Sequence, residues 1–170
     1  RGHQSTFREP VDALLQSSRR AQLGMGMILV NNSNAGVKPT ITPLQRIDVE
    51  GGDVLHALKS HDKTFQGFGE AYFSLIAEGA IKSWRRHQVA TLNLVVPLGK
   101  VRFVTTVNGE SFEENIVSTQ HNFVRLTIPS GLWLAFQGLE KEESLILNIS
   151  NRVHQSEEID RRDLSDFDYD

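Results

Sequence analysis

The sequence predicts an all-β sandwich or barrel, on three observations. From Gly26 onward the chain breaks into short β-branched and aromatic runs, punctuated by turn residues at nearly regular spacing. Between residues 27 and 155 no long 3.6-residue period appears, which argues against helices as the main elements. No internal repeat is present. The 170 residues favour one domain, and a domain of this size buries roughly 70% of the surface its unfolded chain exposes.

The elements follow in chain order. "RGHQSTFREPVDALLQSSRRAQLG" is polar, carries Arg19 beside Arg20, and lacks strand pattern. It reads as an arm, a short helix over Val11 to Leu15, or an added leader, and Met25 or Met27 would be a natural start. The expected division is residues 1–27 as this N-terminal arm or leader and 28–170 as the single domain. "MILVNN" is a strand candidate, and "TPLQRIDVEGGDVLHAL" alternates loosely around the Gly51-Gly52 break. "EAYFSLI" and "AIKSWRRH" follow, then "TLNLVVPLGKVRFVTTV" with its Pro-Leu-Gly turn. Asn108-Gly109 is a two-residue hairpin signal, because both central positions of that turn need positive φ. "SFEENIVST", "NFVRLTIP", "LWLAFQG" and "SLILNISN" complete the series, with Pro129-Ser130-Gly131 as a further turn. The tail "SEEIDRRDLSDFDYD" is acidic and irregular, and is expected to dock through Leu164, Phe167 and Tyr169.

Composition narrows the function classes. The formal net charge of −3 argues against nucleic acid as a partner, since phosphate binding wants a positive excess. There is no cysteine, so disulfides and thiolate metal sites are excluded. No apolar run reaches the roughly 20 residues that span a bilayer, so no membrane partner is expected. No signal-peptide core appears near the start, and a cytoplasmic location is the default expectation. Six histidines, at 3, 56, 61, 87, 121 and 154, form no His-x-His pair, and nothing in the spacing assembles three or four metal ligands. No Gly-x-Ser-x-Gly elbow and no glycine-rich phosphate loop appear.

General acid–base chemistry remains. His87 is the candidate base, at the join between the basic cluster Lys82, Arg85 and Arg86 and an apolar strand. An imidazole can take a proton beside a carbonyl near neutral pH. Neighbouring cations favour its neutral form and suit a diphosphate. The other reading of the same residues is a solvated strand end.

Three blocks carry a resemblance: "GEAYFSLIAEGAIKSWRRHQVATLNLVVPLGKVRFV", "VRLTIPSGLWLAFQG" and "SLILNISNRVHQSEEIDRRDLSDFDYD". Together, over about residues 45 to 170, they resemble the dTDP-4-dehydrorhamnose 3,5-epimerase family and its dTDP-sugar isomerase relatives. That resemblance implies a cupin jelly roll, a homodimer, and a nucleotide-sugar substrate of the dTDP-4-keto-6-deoxyhexose class. It implies no metal and no organic cofactor. A histidine would remove the proton beside the keto group, a carboxylate would support it, and a tyrosine would return a proton from the other face.

Carried over residue by residue, the metal-cupin motif places Arg85 and His87 at its two histidine positions and Leu92 at its glutamate. Leu134 stands at the histidine of the second motif, so three of four metal ligands are replaced. Lys82 matches the family's basic residue, and the base position then falls on Arg85 without a gap or on His87 with a slide of two. The supporting carboxylate maps to Asp163. Between Asn148 and His154 no tyrosine occurs, which leaves Tyr72, on another strand, as either the proton donor or a core residue. Lys82, Arg85 and Arg86 would hold diphosphate or enolate charge. Trp133 would fill the core or rim the pocket, Asn93 and Gln137 are candidate polar liners, and His154 is expected to serve a turn. The alternative is a non-catalytic cupin dimer that binds a nucleotide sugar or another small ligand.

Overall fold

The structure, a computed structural model, describes residues 36–169. The expected arm and the "MILVNN" strand lie outside the described residues. Twelve strands are described: β1 (Thr40–Pro43), β2 (Arg46–Ile47), β3 (Val54–Leu55), β4 (Glu70–Ile76), β5 (Ile81–His87), β6 (Leu92–Leu98), β7 (Lys100–Thr106), β8 (Phe112–Ser118), β9 (Val124–Ile128), β10 (Trp133–Gly138), β11 (Ser144–Ser150) and β12 (Ile159–Arg161). Single 3-10 turns span Ser156–Glu158 and Leu164–Asp166. The expected runs from 70 onward all form strands. The short strands β1 and β12 add to them.

Two five-stranded sheets build the sandwich, in the orders β1-β9-β6-β11-β4 and β12-β5-β10-β7-β8. From β4 to β7 the chain changes sheet at each step, and it does so again from β8 through β12. The Pro-Leu-Gly turn therefore joins two sheets and closes no hairpin. Gly99 makes that crossing possible: its φ is +87°, and an added Cβ would lie 2.7 Å from Ser144 Cβ. The β7–β8 hairpin is real, with Thr106 opposite Phe112, so its connection runs over five residues, 107–111. Gly109 has φ +83° while no non-glycine residue among those described has positive φ. The two-residue turn expected at Asn108-Gly109 does not form. Asn108 Oδ1 instead accepts the Glu110 N–H at 3.1 Å, a local side-chain turn.

The main core lies between the sheets: Leu92, Leu94 and Val96 of β6 meet Val101 and Phe103 of β7, Leu126 and Ile128 of β9, and Ile146 of β11. A second apolar cluster covers the outside of the β5–β10–β7 sheet. There Trp84, Val104, Trp133 and Ala135 pack beneath Tyr169, Leu164 and Phe167 of the tail. Phe167 meets Trp84 and Trp133 edge-on, with centroids 5.5 and 5.6 Å apart. The acidic tail thus docks by its expected anchors, and the segment before it pairs along β5 as β12.

The outside of the other sheet is closed by residues 57–66. Arg125 of β9, 0% exposed, donates to Ala57 O at 2.7 Å, Asp62 at 2.8 Å and Thr64 Oγ1 at 2.8 Å. A buried guanidinium needs such partners, and it staples the loop to the sheet. No helix among the described residues is long and apolar enough to cross a membrane.

Candidate active site

One end of the sandwich core opens into a cavity of about 180 Å³. Its floor is apolar, with Leu94, Phe103, Leu134 and Ile146, and its polar wall holds Tyr72, Lys82, Arg85, His87, Asn148 and His154.

β5 supplies three of these through a register irregularity. Leu134 lies opposite Arg85, but Phe136 lies opposite Lys82, so the β5–β10 register shifts between them. Strict alternation from Arg85 would send Lys82 to the outer face with Trp84. The bulge instead turns Lys82 back to the inside, its ammonium 5.6 Å from the Phe136 ring centre. Lys82, Arg85 and His87 share the cavity for that reason.

The companion of His87 comes from the turn that enters β12. That strand pairs antiparallel with β5, Ile159 opposite His87, which sets Glu158, the last residue of the turn, beside the imidazole. His87 Nδ1 is hydrogen-bonded to Glu158 Oε1. The other carboxylate oxygen, Oε2, accepts the backbone N–H groups of Gln88, Val89 and Ala90 at 3.1, 3.2 and 3.4 Å. Burial pushes the Glu158 carboxyl up, but the His87 hydrogen bond, the Val89 N–H, the His87 charge and the Ala90 N–H together hold it below the usual carboxylate range. An ionised carboxylate only accepts, so Nδ1 is the donor in this contact and Nε2 is the ring nitrogen left to exchange a proton with a ligand. The side chains of His87 and Glu158 are 16% and 11% exposed, so the pair is sheltered from bulk water.

Across the cavity, Tyr72 of β4 stands opposite Asn148 of β11. Asn148 Nδ2 donates to the phenol oxygen at 2.7 Å. Burial, and then the Glu70 charge, raise the phenol above its ordinary value, while the Arg85 charge and the Asn148 hydrogen bond oppose that rise. Tyr72 therefore stays protonated through the neutral range.

Beside the cavity mouth, Lys82, Ser83 and Arg85 also line a basic cleft of about 500 Å³ with Arg161 and Arg162. Asp163 lies in this cleft, at the cap of the 164–166 turn, with its backbone N–H on Asp166 at 3.2 Å. The carboxylate on the imidazole is Glu158, not Asp163.

Other expected residues also lie elsewhere. Arg86 points outward, donating twice to Asp160 Oδ2 at 2.9 and 2.7 Å, with its guanidinium 4.6 Å from the Trp133 ring centre. Trp133 itself belongs to the cluster under the tail. Asn93 is 3% exposed and accepts Thr127 Oγ1 at 2.8 Å, away from the cavity lining. Gln137 donates to Gly79 O at 3.4 Å. His154, expected to serve a turn, lines the cavity as a second imidazole. Among the described residues no group of three His, Asp or Glu side chains gathers in metal-binding geometry.

This frame has counterparts among solved structures. A dTDP sugar isomerase from Desulfovibrio desulfuricans G20 is 28% identical, covers 73% of this chain and 83% of its own, and superposes with a TM-score of 0.70. The chain has the fold of the dTDP-sugar isomerases and epimerases. A dTDP-4-dehydrorhamnose 3,5-epimerase from Sulfolobus tokodaii is 19% identical, with 80% of this chain and 83% of that one covered and a TM-score of 0.67. A sugar 3,4-ketoisomerase from Thermoanaerobacterium thermosaccharolyticum, in complex with TDP, is 12% identical, with 73% and 88% covered and a TM-score of 0.64. No family model and no curated protein sequence matches the chain. The fold class expected from the sequence, a cupin jelly roll, is the one these proteins share. Within that cupin frame, Glu158, Asn148 and His154 are the residues sequence reasoning missed. The one signal available for Glu158 was the hydrophobic Ile159 between two charged flanks, the mark of a short edge strand.

Proposed function

We propose that this chain is a nucleotide-sugar isomerase or epimerase acting on a dTDP-4-keto-6-deoxyhexose. The observation that carries the reading is the sheltered imidazole of His87, held through Nδ1 by an ionised Glu158 and lining a ring-sized cavity. Nε2 takes the proton from the carbon beside the keto group, and the C–H electron pair moves into an enolate. The imidazolium that forms is stabilised by Glu158. Arg85 and Lys82 supply positive charge for the enolate oxygen. Tyr72, across the cavity, returns a proton from the opposite face; or the hydroxyl proton on the deprotonated carbon passes to the enolate oxygen, the abstracted proton is delivered to the former carbonyl carbon, and the carbonyl moves. Arg85 stays protonated and cannot serve as base, which leaves that role to His87.

Size divides the ligand. The cavity takes the sugar ring, while Arg161 and Arg162 join Lys82 and Arg85 at the mouth to hold the diphosphate outside it. The chain also reads as a homodimer: Phe73 and Leu75 are 64% and 54% exposed on edge strand β4, a surface suited to a second copy. Light scattering on the purified protein checks that state.

The test of function is proton NMR of dTDP-4-keto-6-deoxyglucose incubated with the protein. Appearance of a 3-keto isomer or a C3 or C5 epimer supports the proposal. Unchanged sugar together with a raised melting temperature selects the non-catalytic ligand-binding alternative.

A further inference from the structure

We infer that Asn148 is the positioning residue for Tyr72 and the acceptor for one hydroxyl of the sugar; the inference rests on the isomerase reading of this cavity. Asn148 is 6% exposed and lines the cavity. Its two amide ends differ. Nδ2 is spent on the phenol oxygen at 2.7 Å. Oδ1 is buried and has no hydrogen-bond partner among the described residues.

Each end dictates a consequence. A phenol oxygen that already accepts a hydrogen bond has its own O–H free to aim elsewhere, and Tyr72 lines the cavity. The amide thus leaves the Tyr72 O–H free to donate into the cavity. The orphaned Oδ1 costs free energy while empty and regains it when a hydroxyl donates to it. Sugars supply such hydroxyls. A ligand lacking that hydroxyl leaves Oδ1 unpaired, so Asn148 also discriminates between sugars.

The test compares wild type, Asn148→Asp and Asn148→Leu in D2O at pH 8, where the introduced carboxylate is ionised and only accepts. Calorimetry with dTDP and with dTDP-glucose isolates the sugar's share of affinity. dTDP alone binds all three alike. Asn148→Asp keeps the sugar's share within about twofold because an oxygen remains, and Asn148→Leu loses about fivefold, the loss of one hydrogen bond. With dTDP-4-keto-6-deoxyglucose, both variants go on exchanging deuterium into recovered substrate, because His87 is intact. Product formation falls at least about tenfold relative to that exchange, because the return proton is misaimed. A purely structural role would lower both together. Melting curves show whether Asn148→Leu folds, and Asn148→Asp, nearly isosteric, carries the test if it does not. An unchanged exchange-to-product ratio overturns the positioning role, and full sugar affinity in Asn148→Leu overturns the hydroxyl contact. A wild type that never exchanges sinks the isomerase reading and the positioning role with it, while the calorimetry still decides the hydroxyl contact.

Discussion

Replacing Glu158 with Gln probes the dyad with almost no change of shape. In the wild type one carboxylate oxygen faces His87 Nδ1, and the other faces three backbone N–H groups at 3.1, 3.2 and 3.4 Å. A glutamine offers one acceptor oxygen, so one of these two sets meets an NH₂ group instead. A hydrogen bond to a charged acceptor contributes about 1.5–3 kcal/mol. At about 1.36 kcal/mol per tenfold in rate, its loss lowers turnover by about 10- to 150-fold. KM stays within about threefold, because the residues at the mouth are untouched. Stability at pH 7 falls by a similar 1.5–3 kcal/mol, roughly one charged hydrogen bond. This deficit has a defined pH dependence. The Glu158 carboxyl lies below its ordinary value of 4.5 in the folded protein. Its contribution is therefore complete above that value and is lost as pH falls through the lower folded-state value. The assay is progress curves at pH 7.5 together with urea melts from pH 3 to 8. Wild-type turnover in Glu158→Gln, or a stability gap that widens toward acid, would refute this reasoning.

Three further outcomes follow from the same contacts. Arg86→Ala leaves turnover and KM within about twofold, because its pair with Asp160 is half-exposed and outside the cavity; such pairs contribute about 0–1 kcal/mol, readable in the melting temperature. Phe167→Ala removes the ring wedged between Trp84 and Trp133 and costs about 3 kcal/mol in urea titration, with product identity unchanged. Asp62→Ala strips a fully buried Arg125 of its counter-charge and costs about 3 kcal/mol, and protease cleavage within residues 57–66 speeds up as that loop detaches.

The strands were legible where one face meets the core and turn residues bracket the run, as at 70–76 and 144–150. The inner face of β10 was not legible. Its outer residues Trp133 and Ala135 are buried under the tail just as Leu134 is buried in the core, so alternation carries no sign of direction. That is why the sequence leaves Trp133 between core and pocket rim; it belongs to the buried cluster under the tail. The cluster Lys82, Arg85 and His87 was legible as a basic patch. Its shared face depends on a bulge against β10, and a bulge leaves no period in the sequence. The supporting carboxylate was expected at Asp163; the tail holds several acids, and the three-residue pairing of β12 with β5 sets Glu158 beside His87 instead. Asn148 sits on a strand that reads as plain core, and its pairing with Tyr72 depends on cross-strand register alone.

Deuterium uptake from D2O into the carbon beside the keto group of dTDP-4-keto-6-deoxyglucose, compared between wild type and His87→Gln, tests the central claim most directly. The account predicts uptake by wild type and at least about a 100-fold slower uptake by His87→Gln, with dTDP affinity unchanged. Uptake at equal rates in the two proteins would contradict it.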